Sequence, residues 1–540
     1  MRIVIVGGVA GGMSAATRLR RLDERAEIVV LERSGHVSFA NCGLPYHVGG
    51  VIEQRGDLLL QTPQSLADRF GLDVRVNTEA VAIDRDRKIV TVRSMLTDAR
   101  EDFEYDALVL SPGARPVRPP IPGIERALTL RDIEDTDAIV EAVANARTAA
   151  VIGGGFIGVE MAENLRHLGL EVTLVEATSQ VMAPLDPELA SLVHERVRAH
   201  DVDLRLGVAV TSIGADTVTI SDGTEVPAQV VIAAIGVRPD TSLAERAGLK
   251  IGARGGIFVD ESLRTSDPDI YAVGDAVEKL DGIDGSQALV PLANTANRQG
   301  RLVADIIAGR PVRNPGVLGT AIVGVFGLQV VATGWNEKRL RAADRPYVAI
   351  HTHPGSHAGY YPGADTMHLK LLAEPDTWQI LGAQGVGESG VDKRIDVIAT
   401  AMRGGLTAVD LATLELAYAP AFGSAKDPIN MLGWIAENLS SRTSHSIQWH
   451  ELDDALSQGA TLVDVRSPKE HAAGAIPGAV NIELDHLRSR LHELPEGNLV
   501  VHCQVGIRGH IAARILAEHG RSVRNLDGGY LTWLAGTSLN

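Results

Sequence analysis

Ala149-Ala150-Val151-Ile152-Gly153-Gly154-Gly155-Phe156-Ile157-Gly158 is an apolar run that ends on glycines in G-x-G-x-x-G spacing. Reading outward, residues 149–152 make a strand, a helix leaves the glycines and runs to about Leu168, and a second strand over 171–175 ends at Glu176. Glycine at 153, 155 and 158 permits a tight turn and close approach of a pyrophosphate, which then rests on the helix N-terminus. An acid about 20 residues further on bonds a ribose hydroxyl, and Glu176 holds that place. Strand, helix and acid together raise the motif well above a chance Gly-rich turn.

The same unit occurs earlier in the chain. Residues 2–6 form an apolar strand, Gly7-Gly8-Val9-Ala10-Gly11-Gly12 follows, a helix covers about 13–22, and the strand 27–31 leads to Glu32. Val9 takes the middle glycine position, while Gly7 and Gly12 are in place. A third strand, Ile270-Tyr271-Ala272-Val273-Gly274-Asp275, ends on an acid at a helix start. Two nucleotide modules in one chain form an internal repeat. They imply two different dinucleotides, a flavin and a nicotinamide, with hydride passing between them. Pro-rich punctuation over 111–123 reads as a crossing linker between the modules.

Composition narrows the class. The 540 residues suffice for about three to five domains. With 45% apolar and 22% charged residues the chain buries large cores, which excludes disorder as its main state. Few aromatics (4%) beside 56 glycines suit aliphatic α/β sheets. A net charge of −17 repels phosphate backbones and argues against nucleic-acid binding. Two cysteines, Cys42 and Cys503, exclude a disulfide-stapled scaffold and a Cys-only zinc site. The chain opens directly on a strand with no signal-peptide pattern, so a reducing cytoplasm is the expected compartment. The uncharged stretch 314–336 is long enough to span a bilayer at about 20 residues, but its Pro315, glycines and β-branched residues predict buried strands with turns.

Val6 to Gly12, Ser38-Phe39-Ala40-Asn41-Cys42-Gly43-Leu44-Pro45-Tyr46, the Gly153 loop and Tyr271 to Asp275 resemble the pyridine nucleotide–disulfide oxidoreductases with a single active cysteine, of the coenzyme A disulfide reductase type. The resemblance covers about residues 1–435. It implies FAD on the first module and Asp275, NAD(P)H on the second, an interface domain and a homodimer. It assigns cofactor contacts to Gly7, Gly8, Gly12, Glu32, Arg33, Asn41, Ser111, Gly113, Gly153, Gly155, Phe156, Ile157, Gly158, Glu160, Glu176, Gly236, Asp275 and Ala293. Glu176, followed by Ala177 and Thr178 rather than Arg, disfavours a 2′-phosphate, so NADH is expected over NADPH.

Cys42 is then the redox nucleophile. Position 47 is His, so no dithiol forms there and the thiol must cycle through a mixed disulfide, persulfide or sulfenic acid. A nearby helix N-terminus or cation lowers a thiol from about 8.5. Ser14, Arg18 and Arg21 share one helix face, which taken alone reads as a solvated surface. The resemblance places coenzyme A contacts there and at Ser38, Asn41 and Lys426, and it aligns Tyr360 and Tyr418 with paired tyrosines that reach Cys42 of the partner subunit. Asn297 stands where the family often has His.

Residues 448–540 resemble a single rhodanese domain, carried by Leu462-Val463-Asp464-Val465-Arg466, Leu499-Val500-Val501-His502-Cys503-Gln504-Val505-Gly506-Ile507-Arg508 and Leu526-Asp527-Gly528-Gly529-Tyr530. A strand delivers Cys503 into a tight loop whose N–H groups form an anion nest, and Arg508 adds positive charge. The C-x4-R loop is one residue shorter than tyrosine-phosphatase-like loops and suits sulfur rather than phosphate.

The expected architecture is α/β: an FAD-binding domain over 1–112 and 244–319, an NAD(P)-binding domain over 113–243, an α+β dimerisation domain over 320–437, a linker over 438–447 and an α/β rhodanese domain over 448–540. The expected function is FAD-dependent NAD(P)H reduction of a sulfur–sulfur bond in coenzyme A persulfide, polysulfide or coenzyme A disulfide, with Cys503 as sulfur carrier. The alternative is an NADH oxidase or peroxidase cycling Cys42 through sulfenic acid. No metal, nucleic acid or membrane partner is expected.

Overall fold

A computed structural model describes residues 1–538 and divides into two compact units, residues 1–181 with 201–319, and residues 182–200 with 320 onward.

The first unit is built on two parallel sheets. In one, the strand order is Ile270–Ala272, Ala107–Leu110, Arg2–Val6, Glu27–Leu31, Asp73–Arg75. In the other it is Val202–Leu206, Glu171–Glu176, Thr148–Ile152, Val230–Ala233. Parallel strands covered on both faces read as unbroken aliphatic runs, and Ile3, Val4 and Ile5 are fully buried. The Pro-rich crossing segment is more ordered than a linker: Ala114–Pro116 pairs antiparallel with Val237–Pro239 and ties the modules together.

The second unit holds a mixed α+β half and a smaller α/β half. The uncharged stretch 314–336 contributes the strands Ala321–Val325 and Leu328–Gly334, as its pattern predicts, in a sheet ordered with Ile380–Gly387, His368–Ala373 and Val348–Thr352. The C-terminal sheet is parallel, in the order Ser446–Ile447, Val523–Leu526, Leu499–His502, Thr461–Asp464, Val480–Asn481. Two details bear on the expected domain bounds. Within the expected linker over 438–447, the helix Pro428–Ser440 extends to residue 440 and Ser446–Ile447 forms an edge strand. Residues 182–200, counted with the nicotinamide module, pack in the second unit, where the helix Pro187–Ala199 meets the last helix, Gly529–Thr537. No helix among the described residues is long and apolar enough to cross a membrane.

Candidate active sites

The two glycine loops have the same construction. A Cβ on Gly12 would lie 1.9 Å from the Gly7 carbonyl oxygen, and one on Gly158 would lie 1.8 Å from that of Gly153, so neither position admits a side chain. Gly155 faces open space, which leaves its backbone approachable. The acids match atom for atom. Glu32 accepts from the Gly8 N–H (2.8 Å) and from the Ser34 N–H and hydroxyl. Glu176 accepts from the Gly154 N–H (2.7 Å) and from the Thr178 N–H and hydroxyl. Each carboxylate is fixed at the loop and keeps acceptor capacity for ribose hydroxyls.

Asp275 lies in the turn after Ile270–Ala272. Burial raises its carboxyl, with the Lys279 ammonium opposing. Its Oδ1 is buried without a hydrogen-bond partner, which fits a polar group of a bound dinucleotide. Lys279 is itself buried, donates to the Gly274 carbonyl at 2.6 Å, and is pushed down by burial to about 8. Ser111, Gly113 and Gly236 lie in the connections after Ala107–Leu110 and Val230–Ala233, Arg33 follows Glu32 on the surface, and Phe156, Ile157 and Ala293 stand at helix starts.

Cys42 sits in the turn Asn41–Gly43 just before the short helix Leu44–Val48 and is exposed. Ser38, four residues earlier, has φ +48, a left-handed backbone that costs a non-glycine residue about 1–3 kcal/mol and that concentrates at functional turns. The protein around Cys42 does not favour the thiolate, contrary to the sequence expectation. Partial desolvation raises the thiol, and the carboxylates of Glu160 and Asp275 raise it further. Glu160 accepts from the Tyr46 hydroxyl at 3.1 Å and is pushed up by burial to about 7. Tyr46 is raised by burial and by Glu160.

Of the residues expected to hold coenzyme A, Asn41 donates to the Arg131 carbonyl at 2.6 Å. Ser14 donates to Asn297, and Arg18 is paired with Asp305 at 2.7 Å, so only Arg21 of that face is left exposed. In the second unit the Tyr360 and Tyr418 hydroxyls meet at 2.9 Å, and Lys426 is exposed on the same loop system. Tyr360, Tyr361, Tyr418 and Phe422 are all exposed, an aromatic surface of the kind that marks an interface.

Cys503 follows the strand Leu499–His502 and precedes the helix Ile507–Glu518, and it is fully buried. The Gly506 N–H donates to its Sγ at 3.2 Å. Arg508, in the first helical turn, bonds Glu470 through two nitrogens at 2.8 and 2.6 Å and places its charge beside Cys503. Arg508 thereby holds Glu470 down to about 2. The opposite wall is Gly528 to Leu531: the Tyr530 N–H donates to the Cys503 carbonyl and the Leu531 N–H to that of Gln504. Arg466 stacks on the Tyr530 ring at 4.3 Å.

One feature escaped the sequence reading. Lys370 is fully buried and its ammonium meets Asp186, Glu188 and Glu337. Those acids could pass for metal ligands, but the ammonium occupies their common centre. His351 joins Glu188 to Asp527. A lysine inside the apolar strand Leu369-Lys370-Leu371-Leu372 was the available signal.

Residues 1–300 match the pyridine nucleotide-disulphide oxidoreductase family, 320–427 its dimerisation domain, and 448–536 the rhodanese-like domain. The chain belongs to the pyridine nucleotide-disulphide oxidoreductases, as its motifs led one to expect, and is an oxidoreductase that also carries a rhodanese-like domain. It is similar to the reduced CoADR-RHD of Bacillus anthracis, with 48% identity and a TM-score of 0.98 over 99% of this chain and 98% of that one. It is similar to an NAD-dependent persulfide reductase from A. fulgidus, with 38% identity and a TM-score of 0.93 over 99% of this chain and 100% of that one. Coenzyme A disulfide reductase of Staphylococcus aureus strain JH9 is 36% identical over 442 residues, which is 81% of this chain and 100% of the relative.

Proposed function

We propose that this chain uses NADH to reduce a persulfide of coenzyme A at Cys42 and that Cys503 carries the sulfane sulfur. The observation that carries the reading is the presence of two free thiols in chemically opposite settings, one exposed beside a pair of dinucleotide modules and one buried in an amide-lined loop. A bound flavin would supply an electron pair, drawn from the nicotinamide, to the sulfur at Cys42. The residues for it are the Gly7 to Gly12 loop, Glu32 and the orphaned Asp275 carboxylate; Gly153 to Gly158 and Glu176 take the nicotinamide dinucleotide. Glu176 accepts hydroxyls and repels a 2′-phosphate, which supports NADH over NADPH.

At Cys42 the thiolate attacks the inner sulfur of the persulfide, forming a Cys42–coenzyme A disulfide and expelling hydrosulfide. Two-electron cleavage of that disulfide returns both thiolates. The net reaction, coenzyme A persulfide plus NADH giving coenzyme A, hydrosulfide and NAD⁺, balances in protons and electrons. With coenzyme A disulfide the first leaving group is the coenzyme A thiolate instead. Tyr360 and Tyr418, hydroxyls paired and exposed, suit donation to a leaving sulfur across a homodimer interface. Arg21, Ser38 and Lys426 remain available to the carrier, Asn41 offers only its amide oxygen while its nitrogen bonds the Arg131 carbonyl, and Arg18 reaches a phosphate only by leaving Asp305.

The test supplies NADH with coenzyme A persulfide or with coenzyme A disulfide and follows NADH loss and sulfide. Cys42→Ser is expected to abolish both reductions while FAD stays bound. Cys503→Ser is expected to spare both and to lose sulfur transfer from thiosulfate. Turnover of the disulfide with none of the persulfide overturns the substrate assignment, and equal damage to both activities by both substitutions overturns the two-centre reading.

A further inference from the structure

The rhodanese-like half does not build its thiol site alone. Asp527 follows the strand Val523–Leu526 and precedes Gly528 and Gly529, which form one wall of the Cys503 loop. Its Oδ2 accepts three hydrogen bonds: from the His351 N–H at 2.9 Å, from His351 Nδ1 at 2.6 Å and from Gln448 at 3.2 Å. Two of these come from the strand Val348–Thr352, outside the rhodanese-like region. His351 Nε2 meets Glu188 at 3.0 Å, and Glu188 meets the Lys370 ammonium.

Close packing links that wall to the thiol loop. A Cβ on Gly528 would lie 2.8 Å from the His351 Cβ, so the wall is glycine where the histidine presses on it. Gly529 packs as closely on the other side: a Cβ there would lie 2.5 Å from the Cys503 carbonyl oxygen. His353 adds a second bond across the same boundary, to the Thr532 hydroxyl at 2.7 Å.

Both ring nitrogens of His351 face carboxylates, and ionised carboxylates only accept. The ring therefore carries both protons. It faces Glu188 from the helix Pro187–Ala199, Lys370 from the strand His368–Ala373, Asp527 from the rhodanese-like side, where Gln448 bonds the same carboxylate, and His353 at the end of its own strand. Burial disfavours the charged ring, but the bonds to Asp527 and Glu188 prevail and push it up to about 9.

We propose that His351 is a positioning residue for Cys503: a buried imidazolium, anchored by Glu188 and Lys370, clasps Asp527 and holds the thiol loop closed. This rests on the reading of Cys503 as the sulfur carrier for its functional consequence, but the geometry predicts closure of the loop in either case. A folded-state value raised above the unfolded one means the clasp is complete below the ordinary histidine range and is lost as pH rises through about 9.

The experiment measures alkylation of each cysteine by iodoacetamide in the full-length protein near neutral pH, read by peptide mass spectrometry. Cys42 is exposed and serves as the internal reference; Cys503 is buried and reacts when its loop opens. His351→Gln is expected to raise the Cys503 rate roughly tenfold or more with the Cys42 rate unchanged. Asp527→Asn, which keeps an acceptor for the backbone N–H, is expected to give a smaller rise and serves if the first variant fails to fold. Sulfur transfer from thiosulfate to cyanide by the unaltered protein is expected to fall above about pH 9, with that alkaline limb missing in His351→Gln. Unchanged Cys503 alkylation in the folded variants overturns the clasp. Absent sulfur transfer in the unaltered protein overturns the carrier role instead, and the alkylation rates still decide the clasp.

Discussion

Cys42 and Cys503 each sit at the entrance to a helix, and there the likeness stops. Cys42 is exposed, its neighbours are the carboxylates of Glu160 and Asp275, and the protein raises its thiol. Cys503 is buried, receives the Gly506 N–H on its sulfur and faces Arg508. The first setting resists an anion, and the second places one N–H and one cation around the sulfur. A thiol that must wait for reducing equivalents gains from the first arrangement, because premature thiolate formation invites oxidation. A thiol that must hold a charged persulfide gains from the second.

The strongest test of the contrast is on what stands behind Cys503. Lys370→Met leaves Asp186, Glu188 and Glu337 buried without their cation. Breaking one partner of a buried ion cluster costs about 3–5 kcal/mol, so thermal unfolding of the second unit is expected to shift down accordingly. Little change in Tm would mean that water or a relaxed packing compensates the three acids. Next in size is Arg508→Met. Loss of one donor to a developing anion costs about 10²-fold, and that loss is expected in sulfur transfer alone, with NADH-driven reduction at Cys42 unaltered. Parallel loss of both activities would erase the distinction between the two thiols. Arg508 also keeps Glu470 low, so the pair's modest contribution to stability is present above the ordinary glutamate range and fades as pH falls towards about 2.

The two thiol sites were unequally legible in the sequence. Local motifs carried the nucleotide loops: glycine spacing and the acids at 32 and 176 are short-range patterns, and the structure closes each loop on its own acid. The Cys503 loop was legible for the same reason. Arg18 was not, because its partner Asp305 is distant in the chain and the helix face alone gives no sign of it. The clasp at His351 draws on residues 186, 188, 337, 351, 370 and 527, and no periodicity links them. The charge around Cys42 was misjudged for a related cause. A helix start nearby suggested a lowered thiol, but the helix is one short turn and the carboxylates arrive from Glu160 and Asp275.

The smallest expected effect is also the most direct probe of that charge. Glu160 lies at about 7, raised chiefly by burial and held by the Tyr46 hydroxyl. As pH rises through that value the carboxyl ionises and opposes thiolate formation at Cys42, so the thiol titrates later than its exposure alone would give. Glu160→Gln keeps an acceptor for Tyr46 and removes the charge. The Cys42 thiol is then expected to titrate lower, and its alkylation rate to rise a few-fold, about 2–5 times, just above neutral pH. Below about pH 6, where Glu160 is mostly protonated, variant and parent are expected to react alike. The Cys503 rate is expected to stay constant throughout. A variant that alkylates Cys42 at the parent rate across the whole range would show that Glu160 does not govern this thiol, and the contrast between the two cysteines would then rest on burial, on Asp275 and on the Gly506 N–H and Arg508 at Cys503.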